Sequence, residues 1–362
     1  NTHDLLAVEN MPSELGVTSM RVNFGKIQNK GVELSVTAYP VQTRDFSWQT
    51  SFNYTHNKNE VKELAGGIPY VEGGKYWIEE GSPLGQWYGW RYQGIYATDE
   101  ANAYVKNGDG SFGERLTPVY QTDPNNYGNI VYGTNGKPIF SHYETSNGQR
   151  YDGEVGQMTT YGQVLKGGDV IWDDVDHDGV IGDKDRQILG EGLPTWYIGW
   201  SNNFNYKNFA LSFSFYGSFG NKIYNQQRRS LNQYSSSNVT PMKSDIYKMW
   251  KYQGQITEGY SGAKATTGVV NARELSSYYL ESGDYIRLTN IRLSYTLDKK
   301  WAKFLKVNDL SVYVYGNNLL TWTDYTGYDP SSISNSNVLQ PGIDNGRYPT
   351  AKEYGFGLNV NF

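Results

Sequence analysis

The sequence predicts an all-β protein, an antiparallel transmembrane β-barrel with long outer loops, and three observations carry that expectation. Long segments alternate between apolar and polar residues. Their apolar positions hold whole rows of Phe, Trp and Tyr. The connections between them alternate between very short and very long. A strand sends successive side chains to opposite faces, so each segment presents one greasy face and one wet face. A membrane barrel needs that pattern over about 9–11 residues per strand, with aromatic girdles and short turns at one end. A soluble β-sandwich, with strands of commonly ~5–6 residues, is the alternative reading.

Composition narrows the classes. The 362 residues carry a net charge of -5, so the basic footprint of a nucleic-acid binder is missing. Cysteine is absent, which removes disulfides and thiolate metal sites and fits an envelope or extracellular location. Mean hydropathy is -0.65, and no run approaches the ~18 apolar residues of a membrane helix. Transmembrane strands escape that test, because only alternate residues meet lipid. The opening NTHDLLAVENMPSELG has no charged-then-apolar leader pattern. The expectation is a removed signal or the later part of a longer protein.

The elements follow in order. Residues 1–27 read as an outer loop leading into the barrel, which then occupies 28–362. Strand 28–41 places Val32, Leu34, Val36 and Ala38 opposite Glu33, Ser35 and Thr37. Strand 45–58 places Phe46, Trp48, Thr50, Phe52 and Tyr54 opposite Ser47, Gln49, Ser51 and Asn53. Aromatic-rich stretches at 71–80 and 84–96 read as the next two strands. Strand 194–206 aligns Trp196, Ile198, Trp200, Phe204 and Tyr206, and strand 208–220 aligns Phe209, Leu211, Phe213, Phe215 and Phe219. Strands at 281–297, 308–320 and 350–362 complete the set. Short connections at 41–45, 81–83, 206–208 and 298–307 mark the periplasmic end. The long segments 97–193, 221–280 and 321–349 are the outer loops, with 59–70 a modest one. Within the second outer loop, 244–255 has helical spacing with Ser244 as its cap, and 234–241 reads as loop. Nine strands is an odd number, whereas bacterial barrels use even ones and lipid tolerates no open edge. Further strands are therefore expected from a preceding segment.

Residues 174–185, DVDHDGVIGDKD, match a calcium loop. Asp174, Asp176 and Asp178 fall at positions 1, 3 and 5, Gly179 at the sharp turn, Val180 at the backbone-carbonyl position and Asp185 at position 12. Ile181 supplies the apolar anchor. Three carboxylates so close repel one another unless a cation sits between them. The bland reading is a solvated Asp-Gly turn. No flanking helices are evident, so Ca²⁺ here would staple the 97–193 loop rather than act as a sensor.

Enzyme chemistry finds no support. Nucleophile elbows, Walker loops, GxGxxG and HExxH are absent, and adjacent pairs such as Glu79-Glu80 face opposite ways in a strand. No catalytic residue is assigned. In QWYGWRYQGIY, an even-numbered face toward lipid leaves Trp87 and Arg91 facing the lumen, where a ring and a guanidinium suit a polar ligand.

Several stretches resemble SusC/RagA-type TonB-dependent transporters of the Bacteroidetes. They are NKGVELSVTAYP, FSWQTSFNYTHNKNEVKEL, GSPLGQWYGWRYQGIYATDEANAY, GGDVIWDDVDHDGVIGDKDRQILGEGLPTWYIGWSNNFNYKNFALSFSFYGSFGNKIYN, SGDYIRLTNIRLSYTL and VYVYGNNLLTWTDYTGYDP, in the family's order along almost the whole chain. The resemblance implies a 22-stranded outer-membrane barrel of a Gram-negative bacterium, with this chain giving about the last nine strands. It implies import of oligosaccharides or peptides under a SusD-like surface lipoprotein lid, and a dimer of transporter–lid pairs. TonB would couple through the N-terminal remainder, whose plug domain and TonB box nothing here resembles. Trp322 and Tyr325, in the last outer loop, would meet ligand or lid. The alternating row Tyr354, Phe356, Leu358, Val360 and Phe362 looks like the signal read by the barrel-assembly machinery. Two readings of other classes stay open: a secreted aromatic-rich carbohydrate-binding β-sandwich and a calcium-stiffened surface adhesin.

Overall fold

In the computed structural model, residues 2–10, 19–232, 247–257, 259, 275–331 and 339–362 are described. The alternating segments pair into one antiparallel sheet of eight strands. In chain order these are β1 (Thr2–Asn10), β2 (Ser19–Gln42), β3 (Phe46–Leu64), β4 (Trp196–Tyr206), β5 (Phe209–Phe219), β6 (Tyr285–Thr296), β7 (Asp309–Thr323) and β8 (Glu353–Asn361). Each strand pairs with its neighbour in sequence, so β1 and β8 are the two edges. At one end the connections are 43–45, the pair Lys207 and Asn208, and 297–308, which carries a short helix, Lys299–Phe304. At the other end lie 65–195, 220–284 and 324–352. Short and long connections therefore alternate without exception from β2 onward. No described helix is long and apolar enough to cross a membrane, which says nothing of a β-barrel.

Two expected strands drop out of this sheet and one enters. β3 pairs directly with β4, from Phe46 against Tyr206 to His56 against Trp196. The stretches 71–80 and 84–96 therefore lie outside the sheet, inside a single excursion from 65 to 195. They form only short strands: Tyr70–Glu72, Tyr76–Ile78, Gln86–Gly89 and Tyr92–Ile95. Burial explains the difference. Trp87 and Trp90, on opposite parities, are both buried, so no face of this stretch is left for lipid. Gly85 (φ 78°) and Gly94 (φ 139°) also break the extended run. At the start of the chain, β1 and the first part of β2 occupy most of the segment expected to be loop. Residues 11–18 lie outside the described residues, as do 234–241 and 244–246 of the second outer loop.

The chain divides into two compact units. The first, Asn1–Gln86 with Gly190–Asn225 and Glu281–Phe362, contains the sheet and a small core of Ile27, Val61, Leu64, Ile78, Leu84 and Leu339. The second, Trp87–Leu189 with Gln226–Leu280, is built from short hairpins around Trp90, Tyr96, Tyr104, Met158, Leu165, Trp172 and Ile181. Fully buried Asn102 organises it, donating to the carbonyls of Met158 and Leu165 and accepting from the Met158 N–H. Most of the excursion, residues 87–189, thus belongs with 226–280 to a folded body with its own apolar core.

Candidate functional site

The register of the sheet sorts its side chains into two faces. One apolar row runs Val36, Phe52, Trp200, Phe215, Leu288, Leu320 across β2 to β7. A second runs Trp48, Phe204, Leu211, Leu293, Val314, Phe356 across β3 to β8. The rings stack along the rows, Trp48 on Phe204 at 5.5 Å and Trp200 on Phe215 at 5.8 Å. Val36, Phe52, Trp200, Leu320, Val314 and Phe356 are nonetheless exposed, Phe356 at 87%. A soluble monomer rarely leaves so large a contiguous apolar area open to water. Asn202 lies in this face, between Thr50 and Phe213, and accepts a hydrogen bond from the Trp48 indole at 3.0 Å.

The opposite face is polar. Thr37, Ser51, Ser201, Ser214, Asn290, Asn317 and Glu353 form one row from β2 to β8. Hydrogen bonds link its ends: Thr37 with Ser51 at 2.9 Å, Asn290 to Asn317 at 2.8 Å, Asn317 to Glu353 at 3.1 Å. Gly355 and Gly357 sit opposite Tyr315 and Tyr313. A Cβ on Gly357 would come within 2.3 Å of the Tyr313 ring, so the glycine makes room for the ring. The Arg292 guanidinium covers Tyr313 at 3.9 Å.

Arg287 is a buried charge on this face. It donates to Asp329 at 2.6 Å, to Thr321 at 2.9 Å, to Ser331 at 3.0 Å and to Thr350 at 3.2 Å. Burial opposes ionisation of Asp329, but hydrogen bonds from Ser331 and Thr350 outweigh it and hold the carboxyl well below the usual carboxylate range. The network ties the 324–352 connection to β6 and β7. A recess of about 230 Å³ opens beside it, lined by Tyr328 and Lys352 as well as Arg287 and Asp329. Sequence reasoning passes over Arg287; its signal is a charge between Ile286 and Leu288, on the parity opposite to theirs.

Of the residues expected to touch ligand, Trp87 and Arg91 lie outside the sheet, Trp322 lies in β7 and Tyr325 in the connection after it. Trp87 is 0% exposed and offers no ring face. Arg91 sits at the surface of the second unit, bonded to Gln187 at 3.0 Å and 3.7 Å from Asp173. The strand parity that assigned them a common face does not apply, because their segment is not part of the sheet. Trp322 is 51% exposed but lies in the apolar face, paired with Ile286 and 6.1 Å from the Phe215 ring. Tyr325 is 6% exposed and donates its hydroxyl to Asp344 at 2.6 Å. The row Tyr354, Phe356, Leu358 and Val360 shares the outer face of β8, and all four, with Phe362, are exposed.

The acidic loop is compact. It runs from the end of the strand Val170–Trp172 to the 3₁₀ turn Asp183–Asp185. Ile181 is buried in the second unit's core, as its anchor position requires. Gly179 has φ 75°, and a Cβ there would meet Phe112 at 2.3 Å. Carboxylate oxygens of Asp174, Asp176 and Asp185 lie within 4.8 Å of one another. Asp185 accepts from the N–H groups of Val175 at 2.8 Å and Gly182 at 2.6 Å, and Asp174 Oδ2 accepts from Gly179 at 3.0 Å. Lys184 approaches Asp176 at 3.4 Å. Asp178 departs from expectation: it is exposed, outside this cluster, and spends Oδ1 on the Val180 N–H at 2.7 Å. Val180 itself bridges Thr159. Burial, aided by the charges of Asp185, Asp178 and Asp176 and only partly offset by the Gly179 N–H, pushes Asp174 up to about 6. Burial likewise raises Asp185, against its two backbone hydrogen bonds.

No family model matches the chain. TonB-dependent receptor P39 of Formosa agariphila is 36% identical over 363 residues, covering 100% of this chain and 33% of that protein. TonB-dependent receptor SusC of Bacteroides thetaiotaomicron is 25% identical over 364 residues, covering 100% of this chain and 29% of that protein. Among solved structures, the RagAB peptide transporter aligns with a TM-score of 0.65 at 19% identity, over 99% of this chain and 32% of that one. The chain thus spans about a third of the length of the curated relatives it matches.

Proposed function

Because this chain is a stretch of a SusC/RagA-like TonB-dependent receptor, we propose that it forms part of the wall and outer loops of an outer-membrane importer in a Gram-negative bacterium. The observation that carries the reading is the two-faced sheet: exposed Phe, Trp and Leu rows on one side, Ser, Asn and Thr rows on the other. Lipid would cover the first and a water-filled lumen would wet the second. A sandwich would bury the apolar rows against a second sheet, whereas here they are open. Eight strands are about a third of a 22-stranded barrel, which agrees with the share of the relatives' length. In lipid the free edges of β1 and β8 would pair with strands outside this chain, since an unpaired edge is costly there.

In this reading the wall is passive. The cargo is an oligosaccharide or a peptide; the outer loops grip it beneath a SusD-like lipoprotein lid, and TonB acts through the remainder of the receptor. Transporter–lid pairs assemble as dimers. The exposed row ending at Phe362 is the assembly signal. Cell fractionation tests the core of this proposal: the receptor should leave the outer membrane only with detergent and migrate faster on a gel unheated than boiled. Release into plain buffer would end it. Absence of any surface lipoprotein from the detergent-purified native complex would remove the lid.

A further inference from the structure

The 174–185 loop holds an acidic cluster whose geometry asks for an occupant. Asp174 is only 8% exposed, and its Oδ1 is buried with no hydrogen-bond partner among the described residues. Asp185 is 0% exposed. A buried acceptor without a donor costs free energy, and two buried carboxylates side by side add repulsion. We propose that Asp174, Asp176 and Asp185 are the protein ligands of a calcium ion.

The spacing suits that ion. Two oxygens bound to one Ca²⁺ at 2.3–2.6 Å can stand no farther apart than about 5 Å, and the cluster's oxygens fall within 4.8 Å. Mg²⁺ demands near-ideal octahedral geometry and keeps several of its waters, whereas Ca²⁺ accepts an irregular set of carboxylates. Asp185 has committed its oxygens to one N–H each, and a carboxylate retains further lone pairs. Asp174 keeps Gly179 on Oδ2 and turns its free Oδ1 to the ion. The exposed Lys184 ammonium beside Asp176 gives way to it, and water completes the shell. Asp178, already engaged with Val180, stays out. The ion joins the end of the strand Val170–Trp172 to the turn Asp183–Asp185, and so stiffens the excursion. The proposal rests on this loop alone and stands or falls separately from transport.

The test uses the receptor purified in detergent and stripped with a chelator. Terbium serves as a luminescent calcium mimic, excited through Trp90, whose indole N–H is bonded to the Gly182 carbonyl at 2.7 Å. Calcium should displace terbium with a Kd on the order of 10⁻⁴–10⁻³ M, as in other extracellular sites. It should also slow amide exchange across 174–185. Asp174→Asn keeps an acceptor for Gly179 and fills the orphan position, yet should weaken binding roughly tenfold or more. Asp178→Asn should bind like the wild type. If Asp174→Asn fails to fold, the half-exposed Asp176→Asn carries the same expectation. Equal terbium signal from wild type and the Asp174 or Asp176 variant would overturn the proposal, as would calcium-independent exchange in the loop. Magnesium displacing terbium as well as calcium does would overturn the choice of ion.

Discussion

The guanidinium of Arg287 in β6 lies 2.6 Å from the carboxylate of Asp329, and both side chains are buried. One is in the sheet and the other in the connection between β7 and β8, so the pair fastens a long loop to the wall. Removing one partner strands the other charge in a low-dielectric site. Asp329→Ala should therefore cost about 3–5 kcal/mol. Denaturant unfolding of the receptor in detergent measures this, and limited proteolysis should show early cuts in 324–352.

The same carboxyl predicts a pH dependence. Its folded-state pKa is depressed, so the folded protein favours the ionised form. That stabilisation is complete above the unfolded value near 3.9 and is lost as pH falls through the folded one. Unfolding midpoints recorded from neutral pH down to below pH 4 should drop at the acid end, and drop less in Asp329→Asn.

Ser51 and Phe52 are neighbours in β3 that face opposite ways. Phe52→Lys puts a charge in the apolar row and should cost about 2–4 kcal/mol in lipid. Ser51→Lys faces the polar row and should be nearly neutral. Equal effects of the two changes on unfolding in vesicles would contradict the assignment of faces.

Gly357→Val drives a side chain into the Tyr313 ring. Displacing that ring also breaks its contact with Arg292. A loss of about 1–3 kcal/mol is expected, as for other overpacked sites. Adding Tyr313→Ser should recover most of it, read from the same unfolding curves.

Phe362 is 87% exposed and buries little within the chain. Phe362→Ser should leave the unfolding midpoint of purified receptor unchanged while lowering the amount inserted in the outer membrane. A stability loss without an insertion defect would mean that the residue packs rather than signals.

Much of the sheet was readable in the sequence because half-burial writes itself as a period of two. Phe46, Trp48, Phe52 and Tyr54 announce β3, and β8 is equally plain. The stretch around Trp87 misled because aromatic residues alternate there too. Packing on both sides, as for Trp87 and Trp90, leaves no wet parity to betray it. Asn202 breaks the apolar row of β4, and only the partner indole of Trp48 accounts for it. In the acidic loop the spacing located Asp174, Asp176 and Asp185. It could not exclude Asp178, whose local bond to Val180 competes with the cluster. Tyr325 stands in a connection without periodicity to place it, and its hydroxyl pairs with Asp344, 19 residues on.

β3 and β4 are adjacent although 65–195 separates them, and the Asn57 N–H meets the Thr195 carbonyl at 2.8 Å where the chain departs and returns. Everything between enters and leaves through one seam. A change of length in that stretch therefore leaves the register of β3 against β4 as it is.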